Sequence, residues 1–185
     1  MRKIEFNNKI KICILVALSV VLMYFRLSVP FLPNFLTFDL SDIPIFFITI
    51  IFSPILGVIS LALKNLLVCF TMGSFTFGIG ELANFLMGFC FIVPGAYFYK
   101  KFNGKNRYIF SLLSGMIGLT LSGVILNATV ILPVYVKLLG VELSSFIGEA
   151  NTLLKFLIIY IVPYNVIKSM IIFFPTVAII DRFKK

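Results

Sequence analysis

The stretch IPIFFITIIFSPILGVISLALKNLLVCFT, residues 43–71, decides the fold class. Its one formally charged side chain is Lys64, and apart from Asn65 and a few hydroxyls everything else in it is apolar or small. A helix needs roughly 20 apolar residues to cross the hydrocarbon of a bilayer, so this run is too long for one crossing and short for two. Proline disfavours helical geometry in the residue before it, which places the division at Ser53-Pro54. The second span is therefore short, and the third runs from Pro54 to about Thr71.

The rest of the chain has the same character. Hydrophobic residues make up 61% of its 185 residues, and the mean hydropathy is +1.11, far outside the range of a soluble domain. That length allows about five to seven spans and leaves no room for a separate soluble domain, so residues 1–185 form one membrane domain. The first run extends from about Ile10 to Val29 and is followed by a proline-rich segment, Pro30 to Asp42, with two acids. After the third span comes a glycine-rich turn, Gly73 to Gly80. Span four runs to about Tyr99, span five from about Tyr108 to Leu132, and span six from about Thr152 to Ile180.

Charge sets the topology. Basic residues gather at the amino terminus (Arg2, Lys3, Lys9, Lys11), between spans four and five (Lys100, Lys101, Lys105, Arg107) and at the carboxyl end (Arg182, Lys184, Lys185). Under the positive-inside rule all three places are cytoplasmic, which four spans followed by two satisfy. The expectation is an all-α polytopic protein of six transmembrane helices with both termini in the cytoplasm. Asp39 and Asp42, like Glu142 and Glu149, then belong to connections outside. The net charge of +9 reflects this topology and attraction to anionic lipid. It does not point to nucleic acid, because no basic residues alternate with stacking aromatics in a soluble module. The amino terminus lacks a small-x-small cleavage site, with Arg26 and Pro30 where one would fall, and reads as a retained first helix. Cys13, Cys69 and Cys90 have no metal-ligand spacing and read as small core or lipid-facing residues.

The chain contains no histidine, which excludes His-based acid–base catalysis and the usual zinc sites. It also lacks a phosphate-binding loop: Gly104-Lys105 is followed by Asn106 and has no upstream partner glycine. Any ATP-driven step needs another chain. Ser41 and Asp42 stand beside Pro44 at a helix start, where such residues cap free amides.

Five polar residues in or at the ends of apolar runs, Glu81, Asn84, Asn127, Asn165 and Lys168, form the candidate site, because each is costly in lipid unless satisfied. Glu81 and Asn84 share a face of span four, and Asn165 and Lys168 repeat that spacing on span six. Helical side chains lean toward the amino terminus, and spans four and six both begin outside, so the five can converge in the outer half. Read singly, Glu81 with Lys168 is equally a structural ion pair, Asn127 a hydrogen bond between helices, and Asn84 a turn cap. Lys64 and Asn65 hold span three to its neighbours. Pro163 frees the carbonyl of Ile159, adding either an acceptor or a kink.

Several segments carry a resemblance: FLPNFLTFDLSDIP (31–44), KNLL (64–67), Gly73-Ser74, GELANFL (80–86) and PYNVIK (163–168). In this order they are similar to the riboflavin-specific S component of energy-coupling factor vitamin transporters, over nearly the whole chain. The resemblance implies six helices, capture of the vitamin from outside, and assembly with a transmembrane coupling protein and two ATPases. It implies that Asn127, Asn165 and Lys168 contact the flavin, that Leu36 and Thr37 cover it, and that the Gly78 to Asn84 segment, including Gly80 and Glu81, forms a wall. Riboflavin is then the transported ligand and no cofactor is expected. The family's first helix docks on the coupling protein through an Ala-x-x-x-Ala face, to which Cys13, Ala17 and Val21 are the nearest, degenerate match. The small residues Ser114, Gly118 and Ser122 of span five are assigned to packing inside the bundle. Two rivals remain: the same fold carrying another vitamin such as thiamine, biotin or folate, and a membrane-embedded enzyme using Glu81 with Asp39 or Asp42 on a lipid.

Overall fold

The computed structural model describes residues 6–29, 32–33, 36–74, 77–140, 142 and 152–183. Arg2, Lys3, Lys184, Lys185, Glu149 and, within the first long connection, Pro30, Phe31, Asn34 and Phe35 lie outside the described residues.

Among the described residues, six helical rods follow one another. The first is α1, Phe6–Tyr24. It stops short of Val29 because Leu27–Ser28 (β1) pairs with Thr37–Phe38 (β2) as a small antiparallel hairpin. Next come α2, Asp42–Ile51, and α3, Pro54–Met72. The corner between them is where the sequence places it: Ser53 is extended, its hydroxyl accepts from the Leu56 amide at 3.1 Å, and Pro54 opens α3. Gly73, at φ +72°, closes α3, and Gly78, at φ +87°, precedes α4, Ile79–Lys101, two left-handed positions that suit glycine.

The fifth and sixth rods are each interrupted by a wider turn. The fifth is α5, Gly104–Leu126, then π-helical Asn127–Ile131, then α6, Leu132–Leu139. The sixth is α7, Leu153–Phe156, then π-helical Leu157–Ile161, then α8, Val162–Phe183. Each π turn sits just ahead of a proline, Pro133 or Pro163. A proline ring has no amide hydrogen and collides with the carbonyl four residues back, and widening the preceding turn relieves that collision.

Five of the rods are long and apolar enough to cross a membrane; α2, with 10 residues, is not. At 1.5 Å per residue it covers about 15 Å, half the hydrocarbon thickness. It also begins deep. Asp42, its first residue, meets Lys64 in the middle of α3, so the chain between α1 and α2 dips back into the bundle. Asp39 and Asp42 are therefore not charges of an outer loop, as the topology argument alone expects, but interior residues.

Polarity is inverted relative to a soluble domain. Ile117, Leu121 and Ile125 make an exposed apolar row along α5, and Ile55, Ile59, Leu63 and Phe70 do so on α3. Patches of this extent belong against lipid, and the chain is a multi-pass membrane protein. Cys13 lies on the outer face of α1, and Cys69 and Cys90 are half-buried; all three are free.

Helices α4 and α5 approach most closely. A Cβ on Gly118 would collide with the Cys90 carbonyl oxygen, one on Gly115 would lie 2.9 Å from the Phe91 ring, and the Ser111 hydroxyl donates to the Gly95 carbonyl at 2.7 Å. Gly118 packs inside the bundle as expected, but the contact ridge is Ser111, Gly115 and Gly118. The half-buried Ser114 and Ser122 turn their hydroxyls onto carbonyls of their own helix.

Candidate functional site

The most conspicuous interior feature is a cluster of two lysines and two aspartates. Lys64 Nζ donates to Asp42 Oδ1 at 2.6 Å and to Ser41 Oγ at 3.0 Å. Ser41 donates to Asp39 Oδ1 from its amide at 2.9 Å and also from its hydroxyl, and the Ser19 hydroxyl of α1 donates to the Ser41 carbonyl. Lys168 of α8 lies 3.8 Å from both Asp39 Oδ2 and Asp42 Oδ2. All four charged residues are buried, and the cluster is neutral as a set. Buried charge is tolerated only when paired in this way.

Ser41 and Asp42 are therefore not helix caps. Ser41 is itself helical in backbone geometry and makes no side-chain cap, and the Asp42 carboxylate is committed to lysine. Lys64 and Asn65 do hold α3 to its neighbours, Lys64 through Asp42 and Asn65 through a 3.0 Å bond from Asn84 Nδ2. Asn84 thus bridges two helices and caps no turn.

Above the cluster lies a cavity of about 590 Å³, at the end of the bundle where α1 and α3 finish and α4 begins. Thr37, Gly80, Glu81, Asn84 and Lys168 line it, as the sequence leads one to expect. Glu81 and Lys168 share this space, but among the described residues no ion pair joins them: Lys168 faces the aspartates, and Glu81 accepts from the Ser74 hydroxyl at 2.7 Å. Tyr164 fixes the β1–β2 hairpin, donating to the Thr37 carbonyl at 2.7 Å with its ring against Phe38.

Four candidates do not line this cavity. Gly78 borders a smaller one of about 290 Å³ between α3 and α4. Leu36 is buried in an apolar cluster with Leu132, Phe156, Leu157, Ile161 and Tyr164. Asn127 and Asn165 converge on Gly123, where a Cβ would come within 2.5 Å of Asn165 Nδ2. Both amides bond within their own rods, Asn127 to the Gly123 carbonyl at 2.7 Å and Asn165 to the Ile161 carbonyl at 2.8 Å, so Asn127 does not tie two helices together. Each is left with a buried Oδ1 that has no hydrogen-bond partner among the described residues. Such an orphaned acceptor marks a place where a donor belongs.

Residues the sequence reading left out include Met23, Arg26, Met72, Ser74, Tyr135 and Tyr164 of the cavity wall, and Asp39, Asp42 and Lys64 of the cluster beneath. The cluster had a legible signal: two lysines embedded in apolar helices need acids, and Asp39 and Asp42 stand together just ahead of an apolar run.

An all-α membrane bundle enclosing a polar cavity at one end defines a small-molecule binding subunit. Residues 8–180 match the family model of the ECF transporter, substrate-specific component, and the chain belongs to that family. The chain is similar to the riboflavin transporter FmnP of Bacillus subtilis (strain 168), with 33% identity over 170 residues, 91% of this chain and 87% of that protein. It is similar to the riboflavin transporter RibU of Staphylococcus aureus (strain TCH60), with 35% identity over 168 residues, 88% and 82% of the two. A solved S component of a bacterial ECF transporter matches with a TM-score of 0.76 and 30% identity, over 95% of this chain and 94% of that one. The chain is thus a transport subunit and not an enzyme, and the lipid-modifying alternative falls. The carboxylates it would have used, Asp39 and Asp42, are held by lysine.

Proposed function

We propose that this chain captures riboflavin from outside a bacterial cell for ATP-driven uptake by an ECF complex. The observation that carries the reading is the cavity of about 590 Å³ lined by Thr37, Glu81, Asn84 and Lys168, in a chain 33% and 35% identical to two riboflavin transporters. That volume lies within the roughly 300–1,000 Å³ of sites that enclose drug-sized ligands.

A flavin ring carries acceptors and one imide donor at its polar edge. The orphaned Oδ1 atoms of Asn127 and Asn165 suit the donor, and the Lys168 ammonium suits an acceptor. Leu36 and its apolar partners lie beside them and can cover the flat part of the ring on a modest movement of the hairpin. Polar contacts of about 1 kcal/mol net apiece set orientation, and ring burial supplies most of the affinity.

In this reading the chain crosses the bacterial cell membrane six times, with α2 and the re-entrant segment together making the second crossing and both termini cytoplasmic. The grouping of Lys100, Lys101, Lys105 and Arg107 between the fourth and fifth rods supports that orientation. The cavity then faces outward. The chain has no phosphate-binding loop, so hydrolysis belongs to two ATPase subunits acting through a transmembrane coupling protein. Cys13, Ala17 and Val21 are exposed along α1, which supports docking there. Titration of the ligand-free, detergent-purified chain with riboflavin tests the proposal. Saturable quenching of flavin fluorescence at one flavin per chain is expected; no quenching, with thiamine, biotin or folate bound instead, would overturn it.

A further inference from the structure

Between α1, α2 and α8 runs an open groove of about 750 Å³ that shares none of the described residues lining the ligand cavity. Both flanking helices pack on α2, which at 10 residues is about half their length, and Phe47 and Ile51 of α2 line the furrow between them. Polarity along the groove is graded. Its polar lining is Asn8 and Lys11, both in the first turns of α1, and every other described residue on it is apolar. Lys11 is exposed and forms no ion pair among the described residues. Asp181, the acid at this end of α8, accepts from the Tyr108 hydroxyl at 3.1 and 3.2 Å and so is turned toward α5. Lys9 and Arg182 are exposed at the same end. The Phe183 ring meets Phe47 edge-on at 6.2 Å and closes the α8 side of the mouth.

The other end is apolar and blind, lined by Leu22, Ile43 and Pro44. There the Ser19 hydroxyl donates to the Ser41 carbonyl and fastens α1 to the start of α2, next to the Asp42–Lys64 pair in the middle of α3. From Lys11 to Leu22 the groove extends about 16 Å along α1, which matches the roughly 15 Å of hydrocarbon in one leaflet. A cationic mouth followed by an apolar channel one leaflet deep has the outline of a single lipid. A transmembrane helix of a protein partner is apolar through both leaflets and would run past the blind end.

We infer that this groove binds an anionic phospholipid from the leaflet at the amino-terminal end of α1, with one acyl chain between α1 and α8 and its phosphate on Lys11. The lysine stem lies along the apolar wall while its ammonium reaches the headgroup level, where it favours negative over zwitterionic lipid. In the orientation proposed above that leaflet is the cytoplasmic one. Which vitamin the outer cavity takes does not enter the inference, and its test contains no flavin.

The chain contains no tryptophan, so Leu18→Trp puts a single fluorophore on the groove and Ile117→Trp puts one on the open face of α5. The two replaced residues are comparably exposed, 45% and 57%, which makes the second a control for ordinary lipid contact. Each variant is reconstituted in phosphatidylcholine vesicles containing phosphatidylglycerol or phosphatidylcholine brominated in its acyl chains, and quenching is recorded. Brominated phosphatidylglycerol should quench Leu18→Trp at about one-fifth of the mole fraction that brominated phosphatidylcholine needs, with a ratio near one for Ile117→Trp. Adding Lys11→Gln to Leu18→Trp should remove most of that preference. Equal quenching of Leu18→Trp by the two lipids, or a preference unchanged by Lys11→Gln, would overturn the inference. Quenching by neither would also overturn it, by showing a second copy of the chain over the groove. If Leu18→Trp fails to fold, Lys11→Gln decides alone. Phosphatidylglycerol added to micelles should raise the melting temperature of the wild-type chain, and Lys11→Gln should lose at least about half of that rise while the exposed-site control Lys105→Gln keeps it. An equal rise in all three would refute the lipid site.

Discussion

Replacing Lys64 by Met should destabilise this protein more than any single change at the cavity surface. Lys64 is fully buried, and its ammonium lies 2.6 Å from Asp42 Oδ1 and 3.0 Å from Ser41 Oγ. Methionine fills nearly the same space, so cavity creation contributes little and the loss is electrostatic. After the change, Lys168 at 3.8 Å from each carboxylate is, among the described residues, the cation left for two aspartates. Breaking a buried pair by removing one partner costs about 3–5 kcal/mol, since the remaining charge stays desolvated. For a chain of this size that corresponds to a fall in melting temperature on the order of 10 °C. The assay is a thermal ramp of detergent-purified protein, scored by the monodisperse fraction on size exclusion. A second variant carries the argument: Lys64→Met with Asp42→Asn removes the stranded charge and should recover at least half of the loss. A Lys64→Met variant melting within about 2 °C of wild type, or a double variant no more stable than the single one, would refute the electrostatic account.

Other consequences can be measured on the same preparation. Asn165→Leu should weaken riboflavin at least about tenfold while the protein still inserts, because it removes an acceptor left unpaired in the fold; unchanged affinity by fluorescence titration would remove Asn165 from the site. Ala17→Trp should abolish co-purification with a coupling module but leave riboflavin titration intact, and full complex yield would count against docking on α1. Gly118→Val should cost about 1–3 kcal/mol by forcing α4 and α5 apart at the Cys90 carbonyl, read as a lower melting temperature.

Much of the architecture is local and therefore legible in the chain. Hydropathy is a sum over neighbouring residues, and a bilayer imposes one length on every crossing, so residues 43–71 alone reveal a membrane helix pair and Ser53-Pro54 its corner. Glu81, Asn84 and Lys168 were identifiable because a polar group among apolar neighbours needs a reason. What those groups meet is not local. Asp42 and Lys64 are 22 residues apart, and Asp39 finds Lys168 from the far end of the chain. Read along the chain, the two aspartates look like an outer loop with a helix cap. Only the dip of the segment before α2, which carries them beside two lysines, makes them the interior counter-charges. Asn127 and Asn165 show the same division. Their polarity marked them in the sequence, but that each amide nitrogen bonds a carbonyl four residues back and leaves its Oδ1 unpaired is visible only in the structure. The chain by itself determined that there is a lipid-embedded bundle with a polar site, because burial in hydrocarbon is charged residue by residue. Which oxygen accepts and which ammonium is shared were decided by the tertiary structure, because a hydrogen bond has a direction that only the partner's position supplies.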